Sequence, residues 1–111
     1  MIRQSYSELT KINSLDLQNK SVLIIGSGAI VNEYVTALNR LRIKDVTIIG
    51  NTENSIQKFK HFSNFELIHG GYERNLPTIR KKDLTIIATP ISSLANAAKI
   101  AVENQQSRIL I

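Results

Sequence analysis

Residues Ser21-Val22-Leu23-Ile24-Ile25 form an unbroken apolar run, rich in branched side chains, that ends on Gly26-Ser27-Gly28 and passes at once into a helical pattern. A run of this kind is a strand buried on both faces, as in a parallel sheet. Glycines directly after it make a tight turn and let a ligand approach the backbone, and the following helix offers its free N–H groups and positive dipole end to an anion. The order strand, glycine turn, helix is the condition under which a Gly-x-Gly carries meaning.

The rest of the chain repeats the alternation. Strands are expected at Val46–Ile49, Phe65–Ile68, Leu84–Ala88 and Arg108–Ile111. Between them the helical spacing of apolar residues predicts helices at Ala29–Leu41, Ser55–Phe62, Asn75–Lys81 and Ser92–Asn104. Pro77 falls in the first turn of the third helix, where proline is tolerated. Such alternation implies right-handed crossovers and a doubly wound α/β parallel sheet of about five strands, in the order 3-2-1-4-5 with helices on both faces. Residues 1–20 read as a short helix on Tyr6, Leu9 and Ile12 followed by an extended lead-in, and 21–111 as the Rossmann-type domain.

Composition narrows the function. There is no cysteine, which removes disulfides, zinc-thiolate sites and thiol catalysis. No apolar run approaches the roughly 20 residues of a membrane helix, and the first residues lack a signal peptide's apolar stretch, so a cytoplasmic location is expected. The charge of +5 is scattered. Its densest run, Arg80-Lys81-Lys82, reads as a solvated helix end, so nucleic acid is not expected as a partner.

The turn Gly26-Ser27-Gly28, with Ala29 and Ile30 opening the helix, is therefore the expected cradle for the pyrophosphate of NAD(P). Val31 stands where that fingerprint has glycine or alanine, and is expected to push the helix slightly outward. At the end of the second strand, an NAD site carries Asp or Glu against the ribose. Here the residues are Gly50-Asn51-Thr52, so Asn51 and Thr52 are the expected ribose contacts and the balance favours NADP. The competing role for Asn51-Thr52 is to cap the next helix. Ala88-Thr89-Pro90, after the fourth strand, should face the glycine turn across the switch point. No metal-ligand cluster or catalytic set stands out. His61 falls on a surface helix, and His69, Tyr72 and Glu73 lie near the sheet's carboxyl edge without an assigned role.

The stretches VLIIGSGAI and TIIATPISSLANAAKIAVENQQSRILI resemble the N-terminal domain of the glucose–fructose oxidoreductase, inositol dehydrogenase and MocA family. That resemblance implies NAD(P) binding, with substrate handled by a second domain or a homo-oligomer partner. The family's Glu-Lys-Pro after the last strand is not in this sequence, and Leu94 and Ala95 stand where it often has a histidine, so no catalytic residue is implied. A free-standing nucleotide-binding or regulatory module is an alternative. Another lies in LDLQNKSVLIIGSG and VTIIGNT, which resemble the NADP domains of shikimate dehydrogenase and glutamyl-tRNA reductase. Their usual Asn-Arg-Thr is here Gly50-Asn51-Thr52, without arginine.

Overall fold

The computed structural model describes residues 18–62 and 64–111. The helix and lead-in expected before residue 18 lie outside them. Five strands form one parallel sheet in the order β3-β2-β1-β4-β5. They are β1 Ser21–Ile25, β2 Asp45–Ile49, β3 Phe65–Ile68, β4 Leu84–Ile87 and β5 Ile109–Leu110. The helices are α1 Ala29–Arg40, α2 Glu53–Gln57, α3 Tyr72–Asn75, continued by a 3-10 turn Leu76–Thr78, and α4 Ile91–Glu103. The expected order and layering are those observed.

Burial explains why the central strands are apolar without alternation. Val22, Ile24, Val46, Ile48 and Ile86 point to one face and pack against Val31, Val35 and Leu38 of α1 and against Phe59. Leu23, Ile25, Ile49 and Ile87 point to the other, against Leu76 and against Ala97 and Ala101 of α4. Each strand residue thus has a hydrophobic partner layer on its own side. Val31 is fully buried within the first layer. The β-branched side chain at the third fingerprint position is part of the helix–sheet contact.

Both long helices end in the same way. Arg42 has φ 60 and Gln105 has φ 76, each one position past the helix cap. The N–H groups of Arg42 and Ile43 donate to the carbonyls of Asn39 and Leu38, and those of Gln105 and Gln106 to Val102 and Ala101. These paired 5→2 and 6→1 bonds are the Schellman closure, which satisfies otherwise orphaned carbonyls and turns the chain back toward the sheet. Ile43 and Gln106 are thereby delivered into buried positions.

Several local expectations differ from the structure. The helix predicted at Asn75–Lys81 begins earlier, at Tyr72, and tightens to a 3-10 turn where Pro77 sits. The helix predicted at Ser55–Phe62 runs only from Glu53 to Gln57, so His61 lies in a turn, with its ring 4.0 Å from that of Phe62. The run Arg80-Lys81-Lys82 lies in the irregular segment that leads into β4 rather than at a helix end. Arg80 and Lys82 both approach Asp45, at 3.4 and 3.8 Å, and the Lys82 side chain is 6% exposed. Beside it the Gln106 carboxamide oxygen accepts from Lys82 N–H and the Thr85 hydroxyl, while its amide donates to the Arg80 carbonyl. This is where part of the basic charge goes: into fastening the amino end of the sheet.

Candidate dinucleotide site

Ligands of open α/β sheets sit beyond the carboxyl ends of the strands, where the order reverses. That point lies between β1 and β4. A cleft of about 370 Å³ opens there, lined by Gly26, Ser27, Gly28, Ile30, Asn51, Tyr72, Ala88, Thr89, Pro90 and Ser93, with Ile25 and Ile49 at its base. Its volume is within the roughly 300–1,000 Å³ of small-molecule sites. A larger hollow of about 560 Å³ lies at the opposite, amino end, around Lys20, Lys82, Asp83 and Arg108. Strand ends and helix starts that could hold an anion are at the carboxyl end.

The glycines of the turn have separate jobs. Gly26 has φ 125, and a Cβ on it would stand 2.5 Å from the Ala88 carbonyl oxygen. Its N–H donates to the Ile49 carbonyl and Ala88 N–H donates to that of Ile25, so the ends of β2, β1 and β4 are tied together through this turn. Gly28 has an ordinary φ of −75, and a Cβ there would meet nothing within 4 Å. Gly26 is needed by the fold, whereas the space beside Gly28 is open to a ligand. At Gly50 a Cβ would collide with Ile56 and stand 3.1 Å from the Ser27 hydroxyl, which places that hydroxyl over the end of β2.

Two helices open at the cleft. The caps of α1 and α4, Gly28 and Pro90, make no side-chain hydrogen bond to the first turn, and neither first turn carries an acidic residue. Val31 and Ser93 N–H donate to the Gly28 and Pro90 carbonyls, and the N–H groups before them, with the positive dipole ends, are left available to an anion. Among the described residues the Thr89 hydroxyl is buried without a hydrogen-bond partner. A buried polar group in that state calls for a partner, which an ordered water or a polar group of a ligand can supply. Taken together, open space at Gly28, uncapped helix starts and the Thr89 hydroxyl fit a phosphorylated ligand with further polar groups.

Not every expected residue lines the cleft. Thr52 is turned away: it caps α2, accepting from Ser55 N–H while Ser55 Oγ accepts from Thr52 N–H. Ala29 is exposed at the start of α1 and does not line the cleft, and neither does His69. Asn51 does line it, next to a turn made by Gly70 and Gly71 at φ 103 and 83. Those glycines donate to the Asn51 and Gly50 carbonyls, and Asn75 donates to the His69 and Gly71 carbonyls. Tyr72 was visible in the sequence only as a neighbour of the glycines, and Ser93 had no signal, since a serine in the first turn of a helix reads as a solvated residue.

Among the described residues no group of three or more His, Cys, Asp or Glu could hold a metal ion, and no helix is long and apolar enough to cross a membrane.

A model of the shikimate / quinate 5-dehydrogenase family matches residues 8–110. The chain belongs to that family. It is 33% identical over 57 residues to a shikimate dehydrogenase (NADP(+)) of Pelagibacter ubique (strain HTCC1062), an alignment covering 50% of this chain and 22% of that protein. The chain thus spans less than a quarter of that relative's length. No solved structure matches it significantly. The resemblance to the glucose–fructose oxidoreductase, inositol dehydrogenase and MocA family is overturned, and the second resemblance, to the shikimate dehydrogenase type, holds. The reason is physical. Gly26-Ser27-Gly28 and Ala88-Thr89-Pro90 answer the demands of a crowded switch point, where Gly26 meets Ala88, and unrelated dehydrogenases meet those demands alike.

Proposed function

We propose that this chain is the NADP-binding domain of an oxidoreductase of the shikimate dehydrogenase type. The observation that carries the reading is the start of α1, which is uncapped, free of acidic side chains and faced by open space at Gly28. The pyrophosphate would rest there, against the backbone N–H groups of the first turn, with the Ser27 hydroxyl beside it. The adenosine ribose would reach Asn51 at the end of β2. Among the described residues no carboxylate lines the cleft to repel a 2′-phosphate, which supports NADP over NAD. The relative's printed cofactor is in line with this choice.

The nicotinamide half would lie over the end of β4, where Ala88 leaves room, Pro90 fixes the backbone and Thr89 offers its hydroxyl. The hydride chemistry is the cofactor's own; the domain supplies binding and orientation. No side chain of this chain is assigned a catalytic role. The substrate would be held by a further domain or subunit, and a cytoplasmic location suits a protein of this type.

Calorimetric titration with NADP, NADPH, NAD and NADH tests the reading. Saturable binding with NADP tighter than NAD is expected. Absence of binding by all four would overturn it.

A further inference from the structure

The cleft has an aromatic wall that the preceding reading leaves without a task. Gly70 and Gly71 turn the chain with two positive φ values and tie it to the end of β2. A Cβ on Gly71 would stand 3.3 Å from Asn51 Oδ1, so the Asn51 amide and the first residue of α3 meet at this turn. That residue is Tyr72, half-buried, packed against the α4 face of the core and lining the cleft. Its hydroxyl accepts a 2.9 Å hydrogen bond from Asn96 Nδ2, one and a half turns into α4.

The hydrogen bond matters for what the tyrosine can offer. A tyrosine at a binding site ordinarily presents both a ring and a polar tip. Here the hydroxyl is tied to another helix by the bond it accepts from Asn96, which fixes the orientation of the ring at the cleft. The surrounding groups set its position along the ligand. Diphosphate at Gly28 and ribose at Asn51 would bring the attached base beside the Gly70–Gly71 turn, from which Tyr72 reaches across to α4. Apart from Tyr72, the apolar lining on this side is aliphatic, Ile25 and Ile49.

We propose that Tyr72 is the contact surface for the adenine ring of the bound dinucleotide, and that Asn96 is a positioning residue that fixes the tyrosine through its hydroxyl. The assignment rests on the NADP-binding reading above. Adenine is planar and polarisable, and its contact with an aromatic side chain contributes on the order of 1–3 kcal/mol, which corresponds to roughly five- to 150-fold in affinity.

The test uses the full chain with two half-ligands, adenosine 2′,5′-bisphosphate and nicotinamide mononucleotide, beside NADP. Tyr72→Ala should weaken adenosine 2′,5′-bisphosphate and NADP by about tenfold and leave nicotinamide mononucleotide unchanged. Tyr72→Phe keeps the ring and should recover most of that affinity. Asn96→Ala should weaken the adenosine ligand less than Tyr72→Ala does, and adding Asn96→Ala to Tyr72→Phe should have no further effect, because that tyrosine hydroxyl is already gone. A purely structural role for Asn96 would persist in the double variant. The chain contains no tryptophan, so Tyr72→Trp supplies a single tryptophan, whose selectively excited fluorescence should be quenched by adenosine 2′,5′-bisphosphate but not by nicotinamide mononucleotide. A parent that binds NADP, with Tyr72→Ala folded and binding the adenosine ligand equally well, would overturn the adenine assignment alone. A parent that binds none of these ligands would overturn the NADP reading and this assignment with it.

Discussion

Gly26 and Ala88 touch backbone to backbone: a side-chain carbon on Gly26 would stand 2.5 Å from the Ala88 carbonyl oxygen and 2.8 Å from its carbonyl carbon. The contact closes the junction of β1 and β4 and separates two glycines that look equivalent in sequence. Gly26→Ala is expected to destabilise the fold by about 2 kcal/mol or more, from the clash and from the positive φ together. Gly28→Val should cost less than about 1 kcal/mol, yet lower NADP affinity at least tenfold by filling the ligand's space. Urea unfolding of both variants, with NADP titration of Gly28→Val, checks the contrast. Equal stability losses would show that the two glycines do the same work.

Asn51→Asp should move preference toward NAD. Like charges about 4 Å apart repel by about 1 kcal/mol in water, and by more where water is excluded. The ratio of NADP to NAD affinity is therefore expected to fall at least fivefold, measured by parallel titrations. An unchanged ratio would place the 2′-phosphate away from Asn51.

How far the sequence could be read follows from the kind of signal each feature leaves. The three inner strands, β2, β1 and β4, are apolar runs because both faces are covered, and the glycine turn is legible because strand and helix flank it. Thr52 was harder, since the hydroxyl that could meet a ribose is also a good N-cap, and the capping bond with Ser55 prevails. Lys82 was misread because its burial depends on Asp45 and Gln106, which are distant in sequence. Tyr72 follows two glycines with no periodicity around it, and its partner Asn96 is an exposed polar residue on a helix. The family was misassigned because the loudest motifs were those that the switch point itself requires.

Gln106→Ala should expose the cost of the buried network at the amino end. It removes the acceptor of Lys82 N–H and of the Thr85 hydroxyl, both buried. Leaving such groups unsatisfied costs about 1–3 kcal/mol. Thermal and urea denaturation should show that loss with the NADP affinity of the folded protein unchanged, because Gln106 lies at the end of the sheet opposite the cleft.

Acid should weaken the fold in part through Asp83. Its carboxylate accepts from Ser21 N–H at 2.8 Å and from the Ser21 hydroxyl at 3.1 Å. The backbone bond foremost, opposed by slight burial and aided by the hydroxyl and by Lys20 and Arg108, holds the group below its ordinary value of 3.8. The unfolded chain therefore takes up this proton first as pH falls. The stabilisation is complete above pH 3.8 and is lost on going down through the lower folded-state value. Because the pair is exposed, the effect is small. Asp83→Asn should flatten this part of the pH–stability curve; a curve parallel to the parent's would remove Ser21–Asp83 from the account.

The sheet order also sets a timetable for assembly. No two neighbouring strands are joined by a hairpin; every pair is parallel and needs a crossover. The β1–β4 seam is the most distant of these junctions, with Ser21 and Asp83 62 positions apart. Such long closures slow folding, since chain entropy is lost before the contacts that offset it form. The cleft straddles that same seam. A chain emerging from the ribosome would complete β1, α1 and β2 early and still be unable to grip a dinucleotide until β4 had slotted in beside β1. Cofactor capture is thus a late-arriving trait, and a dinucleotide that binds only the finished sheet would hold its slowest seam shut.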